Sequence, residues 1–114
     1  MNEHRRNKRK QTDRAIEVMN AMTGAAMGRI GNISVDGMMM IAYTPIREDA
    51  LYQISFHLPD GRGHAQPVEI GMHEQWSEQS GGAGQYWAGF RIIDIGPEDQ
   101  ERLSEWIGGG QESY

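Results

Sequence analysis

Residues 52–73, YQISFHLPDGRGHAQPVEIGMH, carry the clearest structural signal in this chain of 114 residues. In the first half of the stretch, apolar side chains occupy every second position: Tyr52, Ile54, Phe56 and Leu58. The second half repeats the pattern at three positions: Val68, Ile70 and Met72. Alternation at period two is typical of half-buried strands, and the DGRG of residues 60–63 favours a turn between them. The stretch therefore predicts two consecutive strands joined by a short turn.

Outside this stretch, four segments have weaker strand patterns: residues 15–23, 26–34, 38–43 and 86–92. They are bounded by turn signals such as Asp36-Gly37 and Thr44-Pro45. Fifteen glycines against four prolines agree with a fold of many turns. About six short strands with short connections are typical of a small antiparallel barrel or sandwich.

One helix is predicted after the last strand. Pro97 suits the first helical position, and Glu98 and Asp99 complement the positive end of the helix dipole. The apolar side chains of the segment lie at i, i+3 and i+4 and form one stripe: Leu103, Trp106 and Ile107. A stripe of this kind can cover one end of a barrel.

Length and composition indicate one domain. We expect a flexible basic arm over residues 1–13, a folded unit over residues 14–107 and a disordered tail over residues 108–114.

The sequence has no cysteine, which excludes disulfides, thiolate zinc sites and cysteine nucleophiles and favours a cytoplasmic location. It also has no apolar stretch long enough for a membrane span or a signal peptide, so we expect no membrane insertion.

The net charge of −5 is divided unevenly along the chain. Residues 1–14 contain six basic and two acidic side chains, whereas the rest contains five basic and fourteen acidic ones. A cationic arm on an acidic body favours a phosphate-bearing or acidic partner that the arm alone contacts, although a solvated tail has the same composition. A nucleic-acid surface would need basic residues spread over one face, so we expect no nucleic acid as partner.

Enzymatic function has no support in the motifs. His57, His64 and His73 lack metal-ligand spacing, and neither a nucleophile motif nor a phosphate-binding loop with lysine is present. We therefore expect no catalytic residue, no metal and no cofactor.

Two short motifs are more informative. Residues 5–9, RRNKR, place Arg5 and Arg9 on one side of an extended chain, and guanidinium groups bind phosphate and stack on bases. Residues 32–37, NISVDG, place Asn32 and Ser34 on one side of a strand, where an amide and a hydroxyl can meet a base edge. The Asp-Gly pair that ends at Gly37 favours a turn with positive φ. Taken singly, the first motif also fits a solvated tail and the second an ordinary hairpin.

Together the two motifs resemble the pattern of the PilZ domain, the bacterial receptor family for cyclic di-GMP, with RxxxR in an N-terminal loop and [D/N]xSxxG at the start of the barrel. Residues 23–40, TGAAMGRIGNISVDGMMM, and residues 88–107, AGFRIIDIGPEDQERLSEWI, are similar to the family's strand–motif–strand stretch and to its closing strand and helix. The resemblance implies a mainly β fold: a six-stranded antiparallel β-barrel with a C-terminal α-helix and a flexible N-terminal arm.

The resemblance also implies a set of residues that bind cyclic di-GMP: Arg5, Arg6, Arg9, Asn32, Ser34 and Gly37. The two outer arginines would hold phosphates and stack on guanine, and the middle one would add Coulomb attraction. The amide and the hydroxyl would bond guanine edges, while the glycine would shape the turn. Asparagine lacks the charge of the more common aspartate, so this contact would be weaker.

The function implied is that of a monomeric receptor that signals to an unidentified effector protein through ordering of its arm. One alternative is a PilZ-like adaptor for motility or type IV pilus machinery that binds protein but no nucleotide; the intact arginine pair disfavours it. Another is a small nucleic-acid-binding barrel, which the acidic body disfavours. Trp76 and Trp87 could stack on a base, but the pattern favours apolar positions of the barrel or its rim.

Overall fold

The computed structural model describes residues 10–11, 16–59, 64–79 and 84–108. These residues form seven strands: β1 (Lys10–Gln11), β2 (Glu17–Asn20), β3 (Ala26–Ile33), β4 (Gly37–Ala42), β5 (Leu51–Pro59), β6 (Ala65–Gln79) and β7 (Tyr86–Ile95). One helix follows, α1 (Pro97–Gly108). Every strand pairing is antiparallel.

Six of the strands form a closed ring. Their order is β3, β2, β5, β6, β7 and β4, and pairing between β4 and β3 completes the circle. The strand β1 lies outside this ring and pairs with the end of β3, where Lys10 is opposite Ile33 and Gln11 is opposite Asn32. The predicted six-stranded antiparallel barrel with a C-terminal helix is therefore confirmed.

The core lies inside the barrel, because the apolar positions of the alternating strands face inward. Its largest fully buried side chains include Phe56, Ile54, Met40 and Met72. The helix α1 packs against β5 and β6, with Leu103 and Ile107 buried. Among the described residues, no helix is long and apolar enough to cross a membrane.

Two features of the chain differ from the sequence prediction. The strand β6 continues beyond the predicted alternation to Gln79, and residues 75–79 are all exposed. Among the described residues, β7 alone pairs with this extension, and none of its five side chains is buried, so it leaves no apolar alternation in the sequence. The strand β1 consists of one lysine and one glutamine, which give no strand signal either. The rest of the predicted arm and all of the predicted tail except Gly108 lie outside the described residues.

Candidate functional site

The turn between β3 and β4, residues 34–37, is closed by its own polar groups. The Ser34 amide donates to the carbonyl of Gly37 at 2.8 Å, and the Ser34 hydroxyl donates to Oδ1 of Asp36 at 2.7 Å. The Asp36 amide donates to the Ser34 hydroxyl in return, at 3.3 Å. The carbonyl of Asp36 accepts from the amide of Ile92 at 2.9 Å, which ties the turn to β7.

The expectation that Asn32 and Ser34 lie on one side of a strand is wrong, because β3 ends before Ser34. Asn32 is half-buried in β3, whereas Ser34 is completely buried and its hydroxyl is used within the turn. The strand ends at Ile33, so strand alternation no longer fixes the direction of the next side chain. That Ser34 also contacts a ligand stays a prediction.

The expected positive φ at Asp36 and Gly37 is also wrong. Gly37 is the buried first residue of β4, in strand conformation. Positive φ among the described residues occurs at Gly24, Gly84 and Asp49. The turn that follows Ser34 is therefore set by its hydrogen bonds rather than by left-handed backbone.

A row of residues crosses the outer face of the barrel beside this turn. Asn32 of β3 lies opposite Met39 of β4, Met39 lies opposite Gly89 of β7, and Gly89 lies opposite Trp76 of β6. The indole of Trp76 lies so close over Gly89 that a Cβ there would overlap it. The thioether of Met39 covers Gly31 in the same way. The absence of a side chain at the two glycines allows the larger side chains to lie flat on the barrel.

These residues form a depression of about 370 Å³, which we call the Asn32 depression. It is lined by Asn32, Met38, Met39, Gln75, Trp76, Gly89 and Phe90. Trp76 is 47% exposed, so part of the indole remains open to solvent while another part covers Gly89. An aromatic surface beside a thioether and amide groups suits a planar heterocycle, which can stack on the ring and bond to the amides.

A cation lies in the neighbouring row. Arg91 of β7 is exposed and lies opposite Gly37 on one side and His73 on the other. A guanidinium group here is placed to bind a phosphate next to the depression. The sequence interpretation missed Arg91, although alternation in β7 puts it on the outer side. The sequence does not show that β7 runs beside Gly37.

Two further expectations concern the arginine motif and the tryptophans. Arg5, Arg6 and Arg9 lie outside the described residues, so their contacts stay a prediction. Trp76 and Trp87 are 47% and 40% exposed and belong to the outer face rather than to the core.

Titratable groups elsewhere in the described part of the chain form no cluster that could hold a metal ion. His57 and His64 are exposed, and no three His, Asp or Glu side chains there are placed to hold a metal ion. The Tyr43 hydroxyl donates to Glu17 at 2.6 Å, and this hydrogen bond, together with desolvation, raises the pKa of the phenol. That contact links the end of β4 to β2 and lies outside the depression.

The PilZ domain model matches residues 3–109, nearly the whole sequence. The chain belongs to the PilZ family. This PilZ domain is similar to the inhibitor of motility MotI/DgrA from Bacillus subtilis, with a TM-score of 0.75, 16% identity and coverage of 93% of this chain. It spans only 50% of the MotI/DgrA chain.

A second similar structure is the PilZ domain of YcgR from Escherichia coli with c-di-GMP, at a TM-score of 0.58 and 15% identity. That match covers 92% of this chain and 89% of the other. No curated protein matches the sequence significantly. At identities this low, the two structures show the shared fold alone, and the family resemblance predicted from the motifs is confirmed by the family match.

Proposed function

We propose that this PilZ domain is a receptor for cyclic di-GMP that passes the binding event to a partner protein, without catalysing a reaction. The observation that carries the proposal is the Asn32 depression, which combines the half-buried amide of Asn32 with the exposed indole of Trp76. A guanine base that stacks on the indole can present its edge to the amide. Arg91, exposed in the next row, would bind a phosphate.

The position of β1 supports a role for the arm. Lys10 is fixed opposite Ile33, at the end of β3 that carries the depression, and Arg9 directly precedes Lys10 in the sequence. The row from Asn32 to Trp76 crosses three strand spacings, about 14 Å. Because β1 lies on the other side of β3 from β4, the arm starts one strand spacing further away, about 19 Å from Trp76. Five extended residues span roughly 17 Å, so the segment 5–9 can reach over most of the depression. Arginines on that segment would clamp the phosphates and stack on exposed base faces.

The signal in this proposal is the ordering of the arm. Fixing backbone costs about 1–2 kcal/mol per residue, so ordering requires strong ligand contacts. Cyclic di-GMP supplies two phosphates and two stacking faces in one molecule. Binding would convert residues 1–9 and the outer face of the barrel into one continuous surface, which a partner can distinguish from the free form.

The alternative, a PilZ adaptor that binds protein but no nucleotide, has one observation in its favour. The buried Ser34 hydroxyl is already bonded to Asp36, which removes one of the polar groups that the motif was expected to offer. The carboxylate, amide and hydroxyl of this turn satisfy one another without any ligand.

Isothermal titration calorimetry of the full chain tests the proposal. We expect cyclic di-GMP to bind with micromolar affinity, GMP to bind at least tenfold more weakly, and a single-stranded RNA oligomer to give no heat. Absence of heat with cyclic di-GMP would favour the protein-only adaptor, and heat with RNA alone would favour a nucleic-acid-binding barrel.

A further inference from the structure

The strand β6 has an open edge in its second half. Up to His73, which lies opposite Leu51, β6 pairs with β5 on one side and with β7 on the other. Beyond His73, the described strand that pairs with β6 is β7, and this pairing ends at Gln79 and Tyr86. Within the described ranges, no strand pairs with residues 75–79 on the side of β5, and all five residues are exposed. An open strand edge is a template for a further strand.

A groove of about 440 Å³ runs along the beginning of this edge. Its lining comes from β6 and from the loop of residues 43–50: Ile46, Glu48, Glu74, Gln75, Trp76 and Ser77. Ile46 is half-buried against the core, and Trp76 is half-exposed, so each wall offers an apolar contact. The groove lies on the other side of Trp76 from Asn32.

The loop wall of the groove is held in place by a buried carboxylate. Glu74 is 2% exposed; its Oε1 accepts from the Asp49 amide at 2.6 Å and its Oε2 from the Ser77 hydroxyl at 2.5 Å. The Glu74 amide donates to the carbonyl of Ala50 at 2.9 Å. His73 Nε2 lies 2.6 Å from the carboxylate of Asp49, whose φ is 60°. Both walls are therefore formed before any partner binds, which lowers the ordering cost of binding.

The negative charge beside the groove favours basic over acidic extended segments. Glu48 lies on the loop wall and Glu78 on the open edge, and both are exposed. Neither carboxylate has a hydrogen bond or ion pair among the described residues. Lysine or arginine side chains on an added strand would complement both carboxylates, whereas acidic side chains would be repelled.

We propose that this groove binds an extended, basic segment of a partner protein, which adds a strand to the open edge of β6. Main-chain hydrogen bonds to residues 75–79 would supply the pairing, and Ile46 and Trp76 would contact an apolar side chain of the segment. The basic side chains would face Glu48 and Glu78. This surface shares Gln75 and Trp76 with the Asn32 depression, whereas its other lining residues lie outside that depression. The strand edge and the two carboxylates play no part in the proposed nucleotide site, so the proposal does not require cyclic di-GMP to bind.

The test uses the full ¹⁵N-labelled chain and decapeptides with blocked ends. A peptide of alternating lysine and valine should shift the amides of residues 46–48 and 75–79. A peptide of alternating lysine and proline has the same charge but lacks half of the N–H donors, so it should bind at least tenfold more weakly. Equal binding of the two peptides would show attraction by charge alone and overturn the proposal, as would shifts confined to other surfaces.

Charge reversal gives the matched comparison. The variant Glu48→Lys/Glu78→Lys should no longer bind the lysine–valine peptide and should instead bind a peptide of alternating glutamate and valine. The control variant Glu101→Lys/Glu105→Lys changes the same charge on exposed positions of α1 and should keep the original preference. Unchanged preference in the first variant would contradict the assignment.

Amide hydrogen exchange of the free protein tests two other possible occupants of the open edge: a second copy of the chain and the chain's own arm. We expect unprotected amides on the open edge of residues 75–79 at every protein concentration. Protection that rises with concentration would assign the edge to a second copy of the chain. Protection that is independent of concentration and is lost in an Arg5→Ala/Arg9→Ala variant would assign it to the chain's own arm. Either result would overturn the partner segment.

Discussion

The turn of residues 34–37 and the Asn32 depression lie side by side but differ in how far their side chains are exposed to solvent. In the turn, the hydroxyl of Ser34 and the carboxylate and amide of Asp36 bond to one another, and Ser34 has no exposed surface. In the depression, the indole of Trp76 remains half-exposed beside Asn32. Side chains bonded to one another stabilise a fold, whereas exposed ones are available to a ligand. Substitutions in the turn should therefore change stability, and substitutions around the depression should change affinity.

The largest effect is expected from the arginine motif that precedes β1. The double substitution Arg5→Ala/Arg9→Ala should lower the affinity for cyclic di-GMP at least about a hundredfold, since each charge-assisted contact contributes roughly 1.5–3 kcal/mol. The melting temperature should change by no more than a few degrees, because the two substitutions leave the barrel and its core intact. Calorimetry and thermal melts measure the two quantities.

A charge-conserving variant is the control. Arg5→Lys/Arg9→Lys keeps the Coulomb attraction but loses the planar fork, so its affinity should lie between those of the parent and the alanine variant. Binding that survives in the alanine variant would remove the motif from the site.

The second effect compares two exposed tryptophans in adjacent rows. Trp76→Ala should weaken binding of cyclic di-GMP by about 5- to 150-fold, the equivalent of roughly 1–3 kcal/mol for one stacked base. Trp87→Ala removes a similar indole from a position that does not line the depression and should leave the affinity within about twofold. Quenching of tryptophan fluorescence on nucleotide addition should vanish in the first variant alone. Equal losses in the two variants would contradict the assignment of the depression.

The third effect belongs to the turn. Ser34→Ala deprives Asp36 of both hydrogen bonds to the hydroxyl and should cost about 1–2 kcal/mol of unfolding free energy. For a domain of this size, each kcal/mol lowers the melting temperature by roughly 4–8 °C. Ser104→Ala, at an exposed position of α1, is the control and should change neither stability nor affinity. A large loss of affinity with an unchanged melting temperature would show that Ser34 contacts the ligand directly.

The smallest effect is expected at Asn32. Asn32→Asp offers a charged acceptor to the N–H donors of a guanine edge and should keep or raise the affinity by a few-fold. Asn32→Ala should lower it by a similar factor. Tighter binding by the alanine variant than by the aspartate variant, measured by calorimetry, would exclude a guanine contact at this position.

The barrel can be predicted from the sequence because the residues that specify each strand and the helix are neighbours in the chain. Alternation in residues 52–73 and the spacing of Leu103, Trp106 and Ile107 reflect burial directly. The motif likewise predicts Asn32 near the end of a strand, and β3 ends one residue later. Its role in binding stays a prediction. These features depend on neighbours in the chain.

The remaining features depend on which strands meet. Trp76 lies near Asn32, and Arg91 near Gly37, through pairings between β6, β7 and β4, which no local pattern encodes. The burial of Ser34 follows from hydrogen bonds formed after β3 ends, where alternation no longer applies. Tertiary pairing therefore decides the composition of the depression, and sequence motifs predict only part of it.

The central claim is that cyclic di-GMP binds across the Asn32 depression. Its most direct test is the map of backbone amide shifts of the full ¹⁵N-labelled chain during titration with cyclic di-GMP. We predict shifts at residues 5–11, 31–39, 75–77 and 89–91, with α1 unchanged. No saturable shifts, or shifts concentrated on α1 and the adjoining half of β5, would contradict the account.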